Sequence, residues 1–91
     1  MKTQKEPIPE QLKNLAESCL GDLSDVVFFD IETTGLSNKT AFVYLIGAAF
    51  LEGGSFVLHQ YLAEDLSAEE AILKAFSECT KGKKKLIHFN G

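Results

Sequence analysis

The sequence predicts an α/β domain with three strands, a helix and a fourth strand, preceded by a short N-terminal helix. Three observations carry that expectation. Apolar runs rich in β-branched and aromatic residues recur at 26–29, 41–51, 56–62 and 86–89, and each reads as a strand. Between the second and third runs stands Glu52-Gly53-Gly54-Ser55, a hairpin signal because paired glycines accept the positive φ angles of a tight two-residue turn. Between the third and fourth, Ser67-Ala68-Glu69-Glu70 has the form of a capping box, in which Ser67 and Glu70 reciprocally satisfy free N–H groups at a helix start.

Taken from the start, Met1 to Glu10 is polar and contains Pro7 and Pro9. It reads as a stiff lead-in, unlike a signal peptide. Pro9 suits the first turn of a helix. Leu12, Leu15, Ala16 and Cys19 follow at helical spacing, and Gly21 is a C-terminal stop. The expected role of this short amphipathic helix is to pack on the sheet or its flank, with a partner-binding or inhibitory arm as the alternative. Residues 1–24 are thus an arm and helix, and residues 25–91 the sheet-bearing unit.

Val26 to Phe29 carries no polar break, as in a strand buried on both faces. It runs into Asp30-Ile31-Glu32-Thr33-Thr34-Gly35-Leu36. Side chains alternate along a strand, so Asp30 and Glu32 share a face with Phe28, their Cα atoms about 6.5 Å apart. Two like charges at the end of a buried strand cost several kcal/mol, on the order expected for unpaired buried charge, unless a proton or cation compensates. A hard divalent cation, Mg²⁺ or Mn²⁺, removes that penalty and polarises phosphoryl oxygens. A solvated acid pair flanking a turn is the alternative.

Of the remaining elements, 41–51 and 56–62 form a hairpin that extends antiparallel from the first strand. Gly47 inside its strand suggests a bulge or a close backbone approach. His59 has no second histidine at ligand spacing and reads as structural or surface. Ala68, Ala71, Ile72, Ala75, Phe76 and Cys79 form one helical stripe that can lie on the sheet. Lys81-Gly82-Lys83-Lys84-Lys85 follows, where cations favour the negative pole of a helix, with phosphate as a second use of the charge. The helical crossover is long enough to return the fourth strand, 86–89, parallel to the first.

The string Phe28-Phe29-Asp30-Ile31-Glu32-Thr33-Thr34-Gly35-Leu36 resembles the first motif of the DEDD (DnaQ-like) 3′–5′ exonuclease superfamily, which has a ribonuclease H-like fold. Tyr44-Leu45-Ile46-Gly47 continues the likeness, and Leu86-Ile87-His88-Phe89-Asn90-Gly91 resembles the opening of the second motif, in the manner of the bacterial predicted-exonuclease branch. The resemblance implies a mixed sheet of order 3-2-1-4, with residues 25–91 as the N-terminal half of such a domain. It implies that Asp30 and Glu32 are catalytic and bind two Mg²⁺ or Mn²⁺ ions. It also implies that Thr33, Thr34, Gly35 and Leu36 contact the terminal nucleotide of a DNA or RNA 3′ end, and that Asn90, beside the end of the strand carrying Asp30, is substrate-binding. Two further aspartates of the family site are not in the chain, so the expectation is a 3′–5′ exonuclease motif with little or no activity alone. The alternatives are a non-catalytic module, forming a homodimer or domain swap through an uncovered sheet face, and an endonuclease of the ribonuclease H kind.

Composition bounds these readings. The chain of 91 residues is long enough to bury only about 60–65% of its unfolded surface. A net charge of −4 with no arginine gives no strong footprint for a phosphate backbone, so nucleic-acid affinity is expected to be weak. Cys19 and Cys79 are isolated, which speaks against zinc or a disulfide framework and for reduced thiols. With no membrane-length apolar run, a cytoplasmic location is the expectation.

Overall fold

The computed structural model describes residues 1–34 and 43–88. In chain order the elements are β1 (Lys2–Pro7), α1 (Glu10–Leu20), β2 (Val26–Thr33), β3 (Val43–Glu52), β4 (Ser55–Leu62), a 3₁₀ turn (Leu66–Ala68), α2 (Glu69–Thr80) and β5 (Lys85–His88). The five strands form one mixed sheet of order β1-β4-β3-β2-β5. The four expected strands are β2 to β5, in the expected order; β2 and β3, and β3 and β4, pair antiparallel, and β5 runs parallel to β2. At the hairpin Glu52 pairs Ser55, and Gly53 and Gly54 have φ of 60° and 85°. Both central residues of this turn need positive φ, so glycine is the residue that relieves the strain there.

The polar lead-in is a strand, contrary to the sequence reading. Lys2 to Pro7 pairs antiparallel with β4, from Lys2 opposite Leu62 to Pro7 opposite Val57. Every residue of β1 is exposed. Its order comes from backbone pairing along the free edge of β4 and from no apolar pattern, which is why the composition concealed it. Pro7 is tolerated because β1 is an outer strand that lacks a further neighbour in the sheet.

The two sheet faces carry different helices. Toward α2, Ile46, Tyr61, Ala63 and Ile72 form one buried cluster, flanked by Ile31, Ala75, Phe76 and Cys79. Val27, Ala48 and Phe50 form a second on the same face. Most of the expected helical stripe is therefore core, although Ala71 is exposed. Toward α1, Leu23, Val26, Ala49 and Phe56 are buried, with Ile8, Ala16, Phe28 and Ile87 packed against them. The helix α1 buries no residue fully, and Leu12 and Leu15 remain 56% and 60% exposed. It caps on Pro9, ends at Gly21 with φ of 79°, and is tied to the hairpin by Lys13 Nζ donating to the Gly54 carbonyl at 3.2 Å. The sheet face expected to be bare is thus partly covered.

Two local expectations are corrected. The capping box does not form: Asp65 caps the 3₁₀ turn by accepting from Ser67 N–H, and α2 has Ala68 at its N-cap with no side-chain cap. Glu69 instead accepts the Val43 N–H at 2.7 Å, linking the start of α2 to the start of β3. The lysine run does not occupy the helix end as a group either. Lys81 is the C-cap of α2, its last turn holds no basic residue, and the other lysines lie in the turn and in β5.

Among the described residues no helix is long and apolar enough to cross a membrane. Both cysteines are free thiols. Burial pushes the Cys79 thiol above its ordinary range.

Candidate active site

The strand β2 changes character at Asp30. Up to Phe29 both sides of the strand are apolar; beyond it, Ile31 still packs toward α2 while Asp30 and Glu32 take the opposite side. That side opens into a cleft of about 370 Å³ lined by Phe28, Asp30, Glu32, Leu45, Gly47, Ala49, Leu58 and Gln60. The two carboxylates are therefore on one face, as alternation requires. The cleft is wet: the Asp30 side chain is 48% exposed and Glu32 is exposed. The penalty expected of a buried acid pair does not arise, because water reaches both groups.

Gly47 stands directly opposite Asp30 in the β2–β3 register. It is neither a bulge nor a forced close approach; a Cβ there would meet only Leu58 Cδ1 at 3.8 Å, an ordinary contact. Its effect is to leave open space beside Asp30. The register irregularity falls instead between Glu32 and Thr33, which oppose Leu45 and Val43. Tyr44 is the extra residue. A bulge breaks strict alternation and re-aims a side chain, and here the Tyr44 hydroxyl donates to Glu32 Oε2 at 3.3 Å. The Tyr44 carbonyl, in turn, accepts the Ala63 N–H at 2.8 Å. The Glu32 charge is the first cause that holds the Tyr44 phenol above its ordinary range, since a phenolate would face a carboxylate.

On the other side of β2, the parallel register sets His88 beside Phe29. The rings stack with centroids 4.7 Å apart, and His88 Nε2 lies 3.8 Å from Asp30 Oδ1. Each acid thus has one neighbour drawn from a flanking strand, Tyr44 for Glu32 and His88 for Asp30. The sequence reading singled out neither neighbour as a site residue. The His88 signal was legible, because a parallel strand ending at 88 beside one ending in two acids brings that residue near Asp30. The Tyr44 signal was not, because regular alternation would turn it away from Glu32.

Of the other expected site residues, Thr33 is the exposed last residue of β2 and Thr34 follows it. Gly35, Leu36 and Asn90 lie outside the described residues. His59, expected to be structural or on the surface, is buried on the α2 side, stacked on Phe50 with centroids 4.5 Å apart. Burial is the largest influence on its pKa and pushes it below the ordinary histidine range, against the Glu52 carboxylate 3.5 Å from Nε2.

A protein-family model described as the RNase H superfamily matches residues 27–91. No curated protein and no solved structure matches. The superfamily is one of nuclease-type domains that bind nucleic acid and generally use divalent metals. The matched span includes β2, β3, β4, α2 and β5, and with them both acids and both of their neighbours. By that match and by its mixed sheet, the chain belongs to the RNase H superfamily.

Proposed function

We propose that this chain carries the first acidic motif of a divalent-metal-dependent 3′–5′ exonuclease of the DEDD type, and that alone it has little or no such activity. The observation that carries the reading is the emergence of two carboxylates from one strand face into an open cleft, on the strand paired with β5. Asp30 and Glu32 would hold the ion. Their oxygens are the hard donors that Mg²⁺ or Mn²⁺ takes, and the cleft admits both water and a ligand. Once bound, the ion would polarise a phosphoryl oxygen and lower the pKa of its water. Tyr44 restrains the Glu32 carboxylate by donating to Oε2. His88 stands against Asp30 and limits where that side chain can turn. On the family resemblance, Thr33, Thr34, Gly35, Leu36 and Asn90 meet the terminal nucleotide of a DNA or RNA strand.

Two-metal hydrolysis needs two ions fixed about 3.5–4 Å apart, and on the family resemblance two aspartates besides Asp30 and Glu32 would hold them. A nuclease assay tests this directly: a 5′-labelled single strand with Mg²⁺ or Mn²⁺ is expected to stay intact. Processive 3′ trimming by the pure chain, abolished by Asp30→Ala, would overturn the claim. Calorimetric titration with Mn²⁺ tests the ligand assignment: weak binding that Asp30→Ala removes is expected, and equal heats from both proteins would refute it.

Self-association without catalysis is a second reading. It is favoured by β5, an outer strand of the sheet whose Leu86 is 53% exposed. A stable monomer by light scattering at high concentration would remove it.

A further inference from the structure

Four of the nine lysines fall within residues 81–85, in a chain whose net charge is −4. Their surroundings divide them. Lys83 serves the fold: its Nζ donates to the Ser24 carbonyl at 2.8 Å and lies 5.8 Å from the centre of the Phe50 ring. Lys81, Lys84 and Lys85 are exposed, and their ammonium groups enter no ion pair or hydrogen bond among the described residues. Three other lysines are matched to acids, Lys2 at 3.9 Å from Glu64, Lys5 at 3.5 Å from Glu52 and Lys13 at 3.6 Å from Glu10, while Lys74 stands alone and exposed on α2 among the described residues.

The loop that carries the unmatched lysines is built, not loose. Gly82 turns it with φ of 82°, Lys83 N–H donates to the Thr80 carbonyl, and the Lys84 and Lys85 N–H groups both donate to the Asp25 carbonyl, at 3.0 and 2.9 Å. The acids nearest to it in the chain and its pairing are Asp25 and Glu78, and neither forms an ion pair with these lysines. Three uncompensated cations held together where α2 gives way to β5 attract a polyanion more than scattered, paired ones do.

The strand β5 relates these lysines to the acid cleft. Lys85 opens β5 opposite Val26, and the same four-residue strand ends at His88, 3.8 Å from Asp30. The lysines and the acid cleft therefore lie at opposite ends of one strand, roughly 13 Å apart for the four residue steps from Val26 to Asp30. We infer that Lys81, Lys84 and Lys85 form a contact surface for the phosphodiester backbone of a nucleic-acid strand whose end lies in the Asp30–Glu32 cleft. This rests on the nuclease reading for the identity of the partner, and its test does not depend on cutting.

The test is fluorescence anisotropy of a labelled single-stranded oligonucleotide with the full chain, in EDTA, over a series of salt concentrations. Each phosphate neutralised contributes about −0.7 to the slope of log K against log salt for single strands. The variant Lys81→Gln/Lys84→Gln/Lys85→Gln is expected to flatten that slope by about 2 and to weaken binding about tenfold at low salt. The charge-matched variant Lys2→Gln/Lys5→Gln/Lys13→Gln is expected to keep the wild-type slope, since its lysines already face carboxylates. Equal flattening in the two variants, or none in the first, would overturn the inference, with circular dichroism melts showing that both are folded. Calorimetric Mn²⁺ titration of the lysine variant separates this from the nuclease reading: its heats are expected to match wild type while its salt slope flattens, and a change in both would place these lysines in the ion site and overturn the inference.

Discussion

The two faces of the sheet obey the same strand geometry and end in different states. On the α2 side, Val27, Ile46, Ala48 and Ile72 are fully excluded from water, in two clusters packed against the helix. On the α1 side, the cover stops partway. Val26 and Ala49 are buried beneath it, while Asp30, Glu32, Gly47 and Gln60 line open space. The difference lies in what each helix offers. The α2 stripe presents Ile72, Ala75, Phe76 and Cys79 to the sheet, whereas α1 reaches it through Leu12 and Ala16, with Ile8 just ahead of the helix, and leaves a groove of about 280 Å³ beneath. One face is made for stability, and the other leaves room for a ligand.

The sharpest way to break this contrast is to cut a methyl-rich side chain from each side. Ile72→Ala should lower stability by about 2–5 kcal/mol, because it opens a cavity in a dry core, and a denaturant melt would show it. Leu12→Ala, on a residue that is mostly exposed, should cost less than about 0.5 kcal/mol. Comparable losses from the two would mean that α1 is as integral as α2.

Protonation probes the dry face in another way. His59 is held below its ordinary pKa by burial, so the unfolded chain binds the proton more tightly than the folded one. Its contribution is complete above the unfolded value, about 6.5, and stability should fall as pH drops below it. His59→Phe should flatten that part of the melting-temperature profile between about pH 7 and pH 5. A profile unchanged by the substitution would assign the acid sensitivity elsewhere.

Smaller effects are expected on the wet face. Asp30→Asn should leave stability within about 0.5 kcal/mol of wild type or raise it, because a water-exposed carboxylate near a like charge contributes little to folding. It should nevertheless abolish Mn²⁺ binding, and a loss of stability above that range would assign Asp30 to the fold. Tyr44→Phe removes one donor from Glu32 and should weaken Mn²⁺ binding a few-fold, consistent with the ~0.5–1.5 kcal/mol of a single hydrogen bond. Unchanged affinity would make the Tyr44–Glu32 contact incidental.

Much of this arrangement was legible in the residues. The continuous apolar run before Asp30, the paired glycines at 53 and 54, and the stripe around Ile72 are local patterns, and each became the expected strand, turn or helix. The sharing of one face by Asp30 and Glu32 follows from the two-residue period of a strand alone. Ser67 and Glu70 show the limit of such patterns, since Asp65 was an equally good cap and lay two residues earlier.

What the chain could not disclose by itself depends on pairing between distant segments. The strand β1 exists because β4 has a free edge, and no period in Lys2 to Pro7 marks it. Tyr44 reaches Glu32 because one strand carries an extra residue relative to the other, a property of two strands together. His88 meets Asp30 only once β5 has aligned parallel to β2. Alternation and helical period are short-range and written in each segment, so the sequence by itself determined the elements and the shared face of the acids. Register, edge occupancy and the extent of a covering helix are relations between segments, and these the tertiary structure decided.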